Sequence, residues 1–432
     1  MIRRILWAIV LLGSAGVLRA PGVAGQEASP ELQRARELMG QVPLIDGHND
    51  LPWAVRSDYW MDWDSLDIAQ PQPQLMTDIP RLREGLVGAQ FWSTYVPSSF
   101  ADNGAGRAGM EEGDIVHRMV ERYPDVFEMA GTADDILRIH REGKIACLLG
   151  LEGGHMIENS LGMLRAYYRD GVRYMTLTHS DNVDWADAAT DSLEHGGLTA
   201  FGEEVVREMN RLGMLVDLSH ASDSTAWDVL RVTEAPVILS HSSSRHFTPH
   251  PRNLPDDLAA AVAENGGVIM VNFVIPFIHL PTYQWYGLRS EKRAYYREVA
   301  PSAEAARDSL DAWEAANPRP VPDLRVVADH IEHLRDVAGV DHVGIGSDFD
   351  GIDVPPEGLE DVSTYPQLIA ELLRRGWSDE DAMKVIGVNV LRVMKEAEMV
   401  AAQLKLERSP SAAQIEILDG WDREPPPGSP NP

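Results

Sequence analysis

Between residues 43 and about 395 the chain alternates short apolar runs with longer amphipathic stretches, and this restricts it to βα units around a parallel sheet. Eight such runs can be counted: Pro43–Asp46, Ala89–Val96, Ile145–Leu151, Tyr174–Thr178, Leu215–Ser219, Val237–Ser240, Val268–Phe273 and Val343–Ser347. Helical patterns lie between them, among them Gly202–Leu212, Ser222–Val232, Pro255–Glu264 and Leu324–Val337. Their starts carry cap signals, as at Ser222 and the Pro255-Asp256-Asp257 turn. Eight strands with intervening helices fit a closed (β/α)8 barrel of the TIM type better than an open sheet. A chain of 432 residues can form such a barrel as one large domain with decorations.

Three regions depart from the repeat. Residues 276–322 fall between the seventh and eighth strands, far longer than an ordinary βα connection, and carry Tyr283, Trp285, Tyr286, Tyr295, Tyr296 and Trp313. The insertion is expected to be a lid over the site, a subunit contact, or a segment whose aromatics pack onto the barrel wall. Residues 408–432, rich in Pro, Ser and acidic side chains, read as a loosely attached tail. They hold no hydrophobic segment of the kind a lipid-anchor signal requires, so no stable lipid anchor is expected.

At the other end, Arg3 and Arg4, the apolar stretch Ile5–Val17 and the small residues Val23-Ala24-Gly25 read as an export signal over residues 1–25. A retained membrane anchor is the alternative, but the stretch is shorter than the roughly 20 residues that span a bilayer. The barrel domain is then 26–407, in an exported, periplasmic or secreted protein. Export permits disulfides, yet Cys147 is the only cysteine and sits in a strand-like apolar run, where it packs as a small hydrophobe. The formal charge of −29 argues against nucleic acid as a partner.

In a parallel barrel the chemistry sits where strands end, so the polar residues that follow apolar runs are the ones to collect. The first run leads into Asp46-Gly47-His48-Asn49-Asp50, the third into Glu152-Gly153-Gly154 and the fourth into Thr178-His179. The fifth leads into Asp217-Leu218-Ser219-His220, the sixth into His241 and the eighth into Asp348-Phe349-Asp350. Alone, each is a weak signal, since a His-x-Asp after a strand is often a locally bonded turn. Their coincidence on six of eight strand ends carries the argument. Imidazole with carboxylate suits zinc, and five protein ligands are too many for one catalytic ion that keeps an open position. Two ions sharing Glu152 solve the count, one held by His48, Asp50 and Glu152, the other by Glu152, His220 and His241.

The motifs His48-Asn49-Asp50-Leu51-Pro52, Glu152-Gly153, Thr178-His179-Ser180-Asp181-Asn182, Asp217-Leu218-Ser219-His220 and His241-Ser242-Ser243 resemble those of the renal (membrane) dipeptidase family. So do Arg252-Asn253-Leu254-Pro255-Asp256-Asp257, Gly346-Ser347-Asp348-Phe349-Asp350-Gly351 and Pro356–Ser363, and the likeness spans about residues 35–400. The resemblance implies a two-zinc barrel of the amidohydrolase superfamily that hydrolyses dipeptides with a metal-bridging hydroxide. It places the metal ligands on the same five residues, a contact to the substrate carbonyl on His179, the carboxylate-binding arginine on Arg252 and the proton-transferring aspartate on Asp348. It also makes a homodimer an expectation. One position departs: where mammalian members carry a tyrosine near the substrate carboxylate, this chain has Phe277. With a single cysteine, the disulfide-linked, lipid-anchored form of those members does not carry over. The competing readings are another binuclear amidohydrolase acting on a cyclic amide, lactam or lactone, and a non-catalytic barrel, against which the intact ligands and Asp348 argue.

Overall fold

The structure, a computed structural model, describes residues 29–101 and 103–420. The export signal assigned to residues 1–25 and the tail beyond 420 lie outside the described residues. The described strands are β1 (Leu44–Asn49), β2 (Val87–Tyr95), β3 (Phe127–Met129), β4 (Ile145–Glu152), β5 (Val172–Thr176), β6 (Leu215–Asp217), β7 (Ile238–Leu239), β8 (Val268–Val271) and β9 (Val343–Ile345). All pair in parallel, in the order β2-β1-β9-β8-β7-β6-β5-β4. A ladder from Ala89 opposite Ala146 to Tyr95 opposite Glu152 joins β2 to β4 and closes the ring. The fold is thus the eight-stranded barrel expected, with β3 outside the ring as a ninth strand on the first half of β4, Phe127 opposite Ile145 and Met129 opposite Cys147.

The ring strands read as apolar runs because both of their faces are covered. Every residue of β4 is buried. Alternation along the strands divides the apolar side chains into two groups: Ile45, Ala89, Phe91, Ala146, Leu148, Tyr174, Leu215, Ile238, Val268 and Met270 form one cluster, which we place inside the ring. Their neighbours Leu44, Cys147, Leu149, Met175, Val216 and Ile269 join the larger cluster under the helices. On β4 the inner series Ala146, Leu148 and Gly150 ends at Glu152, so the two-residue period that builds the interior also aims a carboxylate into its mouth.

The connecting helices begin on side-chain caps at Thr199, Ser222 and Asp323, and at Thr132 with a reciprocal bond from Asp135. Each such cap is worth about 1 kcal/mol. The helices run Ala200–Leu212, Asp223–Val232, Asp256–Glu264 and Leu324–Ala338. At Asp256 the preceding Pro255 provides no side-chain cap, and the acidic pair Asp256 and Asp257 meets the helix dipole instead.

The insertion is a helical hairpin, Leu280–Val299 against Ala303–Ala316, preceded by the short turn Ile275–Ile278. Its aromatics do not pack onto the barrel wall as a group. Trp285 meets Trp313 and Tyr286 at 5.8 and 5.2 Å and bonds Asn317 O through its indole N–H, which holds the two helices to each other. Tyr283 instead turns its ring edge towards His250.

Residues 408–420, expected to hang loosely, are held down. Ile415 is buried, the Ser411 N–H donates to Glu208, and Asp419 accepts from Thr199 Oγ1 at 2.7 Å and from the Phe201 N–H. A single apolar anchor and scattered side-chain bonds leave no periodic signal for a sequence to display.

Candidate active site

At the mouth of the ring the structure brings His48, Asp50, Glu152, His179, His220, His241 and Asp348 together. Three overlapping triplets of these residues keep their ligand atoms within 4.8 Å of one another: His48 with Glu152 and His241, Glu152 with His179 and His220, and His48 with Asp50 and Asp348. His48 is a residue of β1 itself, which runs on to Asn49, and does not follow the strand as the apolar run implied.

Glu152 organises the cluster. Its Oε2 faces His48 Nε2 at 3.4 Å and accepts from Ser93 Oγ, while its Oε1 faces His220 Nε2 at 3.1 Å and His241 Nε2 at 3.4 Å. Each oxygen therefore addresses a different set of imidazoles, and His48 Nε2 lies 3.4 Å from Asp50 Oδ2 on the first side. The donor set, imidazole nitrogens and carboxylate oxygens around a carboxylate with divided oxygens, is one that can hold divalent metal.

Hydrogen bonds select the tautomers that such a role needs. The Tyr174 hydroxyl donates to Gly47 O at 3.0 Å, so it accepts from His48 Nδ1 at 2.9 Å and leaves Nε2 facing the centre. Likewise Ser240 Oγ donates to Asp217 Oδ2 at 2.6 Å and accepts from His241 Nδ1 at 2.8 Å. A Cβ on Gly150 would fall 2.1 Å from the Tyr174 ring, so only glycine lets that ring lie where it reaches His48.

Two buried carboxylates hold the strand ends in place. Asp217 accepts four bonds, from the Ser219 and Ser240 N–H groups and from Thr176 and Ser240 hydroxyls, which joins β5, β6 and β7. Asp46 accepts from Ser347 N–H and Oγ, Tyr365 OH and Gln90 Nε2, which joins β9, β1 and β2. The backbone is strained where it delivers the ligands: His220 and Asp348 stand in the left-handed region with φ of 68° and 70°. Gly351 is needed beside them, since a Cβ there would lie 2.2 Å from Asp50 Oδ2.

The electrostatics are those of crowded, buried charge. Burial works against ionising Glu152, yet His48, His179 and the bond from His220 hold its carboxyl well below the usual range. Burial, reinforced by Asp50 and Glu152, pushes Asp348 well above it, with His48 opposing. Burial drives the imidazoles of His220 and His241 well below their ordinary value, towards the neutral form that ligates.

Arg252 is 5% exposed, and its pKa is pushed down to about 10 by burial, against the pull of Asp348 and Glu152. It remains a cation at neutral pH. Among the described residues it forms no ion pair, and its Nε has no hydrogen-bond partner; Nη2 donates only to His241 O, at 3.3 Å. Phe277 lies under it, ring centroid 5.6 Å from Cζ, and stacks in turn on His250 at 4.1 Å. The Arg252 loop is tied back by Asn253 Nδ2, which donates to Phe277 O.

The residues that sequence alone did not assign are those that position others: Tyr174, Ser240, Asp217, Asp46, Ser93 and His250. Asp46 and Asp217 had a local signal, standing two and three residues before His48 and His220 on the same strand ends. Tyr174 had none, because it bonds a residue 126 positions away.

A membrane dipeptidase model, peptidase family M19, matches residues 32–408 of this chain. Dipeptidase verJ of Clonostachys rogersoniana is 44% identical over 385 residues, covering 87% of this chain and 89% of that protein. Dipeptidase 3 of Mus musculus is 38% identical over 390 residues, covering 89% of this chain and 69% of its own length. Among solved structures, the probable dipeptidase PvdM from Pseudomonas aeruginosa superposes with a TM-score of 0.75 at 24% identity, over 86% of this chain and 99% of that one. The dipeptidase AC, a metallopeptidase of family M19, superposes with a TM-score of 0.67 at 25% identity, over 82% and 98%.

Proposed function

This chain belongs to the membrane dipeptidase family, a family of metallopeptidases that act on dipeptides, and within that activity we propose a two-zinc hydrolysis carried out by the residues gathered at the barrel mouth. The single observation that carries the two-ion reading is the division of Glu152, whose oxygens face His48 on one side and His220 with His241 on the other. His48, Asp50 and Glu152 would hold one zinc, and Glu152, His220 and His241 the second. Zinc bound there would supply nucleophile at neutral pH, because it lowers the pKa of a coordinated water to about 7.

The chain's own residues do the rest. Arg252 receives the terminal carboxylate of the substrate by a two-pronged hydrogen bond, for which its buried guanidinium, free of any ion pair among the described residues and with Nε unbonded, is suited. That clamp leaves room for one residue beyond the cut and so separates a dipeptidase from a general protease. His179 is held below its ordinary pKa by burial, with Arg252 adding to the effect and Glu152 opposing it. Its Nε2 lies 3.7 Å from Glu152 Oε1, and with Ser180 Oγ donating to Nδ1 that Nε2 would carry the proton donated to the scissile carbonyl oxygen as charge develops there. A donor so placed is worth about 3–4 kcal/mol. Asp348, beside His48 and Asp50, would in its ionised form take a proton from the attacking water and return it to the leaving amine.

Metal analysis and a dipeptide panel, each with and without chelator, test the reading. Two zinc equivalents with chelator-sensitive cleavage of dipeptides, and little cleavage of N-acylated tripeptides, are expected. Arg252→Met should cut kcat/KM for dipeptides by about 10²-fold or more while zinc content stays the same. Equal turnover in that variant would remove the clamp from the mechanism.

A further inference from the structure

On the outer side of the Arg252 loop the chain assembles a second group of ligating side chains, apart from the barrel mouth. His246 lies in the loop between β7 and the Asp256–Glu264 helix, Asp256 opens that helix, and His333 comes from the Leu324–Ala338 helix. One ligating atom from each lies within 4.8 Å of the others. His333 Nε2 already bonds Asp256 Oδ1 at 2.8 Å, and the His246 and His333 rings stack at 4.2 Å with only 21° between their planes.

Phe247 closes one side of the group. Its ring meets His246 edge-on at 5.0 Å and His333 edge-on at 5.6 Å. From beneath, buried His330 accepts from the Ser244 N–H and donates to Ile278 O, so the segment beside the group is fixed to the same helix that carries His333. Arg245 is occupied by Asp223 through two bonds of 2.6 and 2.8 Å, and so does not compete for Asp256.

From this juxtaposition we infer a third divalent-cation site, held by His246, Asp256 and His333, that takes a transition metal of the zinc class. Two imidazole nitrogens and one carboxylate oxygen are a borderline ligand set with a position left for water. Tetrahedral zinc asks such ligands to stand about 3.3 Å apart, given bonds of about 2.0–2.1 Å. His246 and Asp256 are exposed and can close that distance by side-chain rotation alone. His246 and Asp256 bracket Arg252 in the chain, so the bound ion ties the ends of the segment that carries Arg252 to the helix of His333.

The test uses the full chain, freed of metal by chelator and equilibrated with buffered Zn2+. Wild type is expected to bind one equivalent more than His333→Ala and one more than His246→Ala, at a free zinc concentration that keeps the barrel-mouth ligands saturated. The same excess zinc is expected to raise the Tm of wild type further than that of either variant. Asp256→Asn keeps a bond to His333 and guards against a folding defect; it too should lose the extra equivalent. Equal zinc content in wild type and all three variants, or an extra equivalent that persists in them, overturns the site. Dipeptide hydrolysis is read separately, so a failure of the proposed activity would leave the zinc count intact and distinguishable.

Discussion

Two histidine clusters flank the Arg252 loop, made of the same residue types and held in opposite ways. At the barrel mouth, His48 and His241 each have their second ring nitrogen fixed, by Tyr174 and by Ser240, and Ser93 fixes one Glu152 oxygen. His48, Glu152 and His241 are all at most 4% exposed. On the outer face, His246 and Asp256 stand in solvent, and a single hydrogen bond between ligands, a ring stack and the edge of Phe247 account for the arrangement. The difference is one of preorganisation. The inner cluster keeps unfavourable charge together in a dry place, as the raised Asp348 shows, and a cation among those carboxylates relieves it. The outer cluster carries little strain and must rotate before it can ligate.

The largest expected effect follows from the inner cluster having one carboxylate at its centre. Glu152→Gln keeps the shape but replaces one oxygen with an NH2 group, which cannot face a cation, so the two halves lose their shared ligand. Bound metal should fall and kcat/KM should drop by about 10³-fold or more, read by metal analysis and dipeptide hydrolysis. Two retained equivalents with ordinary turnover would break the comparison at its strongest point, since the inner cluster would then not depend on its centre.

A smaller effect is expected one shell out. Tyr174→Phe removes the acceptor of the His48 Nδ1 proton and nothing that touches substrate. Metal affinity should weaken by about 10–100-fold, while kcat at saturating metal stays within a few-fold of wild type. Competition with a chelator of graded strength measures the first quantity and steady-state kinetics the second. An unchanged affinity would mean that burial alone, without the tautomer-selecting bond, suffices to hold His48.

The same contrast explains how much could be read from the sequence. Barrel strands declared themselves because residues such as Ile145–Glu152 are buried on both faces and so form unbroken apolar runs. β3 did not, because its three residues include Glu128 and Met129, both half-buried, and three residues cannot display a period. At the site, the ligand types were legible because chemistry restricts them to His, Asp and Glu at strand ends. Tyr174 and Ser93 were not, because a hydroxyl that orients a ligand has no fixed sequence distance from it. The outer cluster was equally hidden: His246, Asp256 and His333 come from three separate segments, and each alone is an ordinary surface residue.

The smallest effect belongs to that outer cluster in the absence of metal. His333 and Asp256 are joined at 2.8 Å with side chains 17% and 48% exposed, so solvent screens the pair and side-chain ordering offsets much of its attraction. Asp256→Asn retains an acceptor for the ring N–H. In chelator-treated protein its cost should be about 0.5 kcal/mol or less, which for a domain of this size shifts Tm by about 2 °C at most. Thermal unfolding of wild type and variant, side by side without metal, reads it directly. A fall of several degrees would mean that the outer cluster bears structural load before any ion arrives, and the division between a preorganised inner cluster and an adaptable outer one would have to be given up.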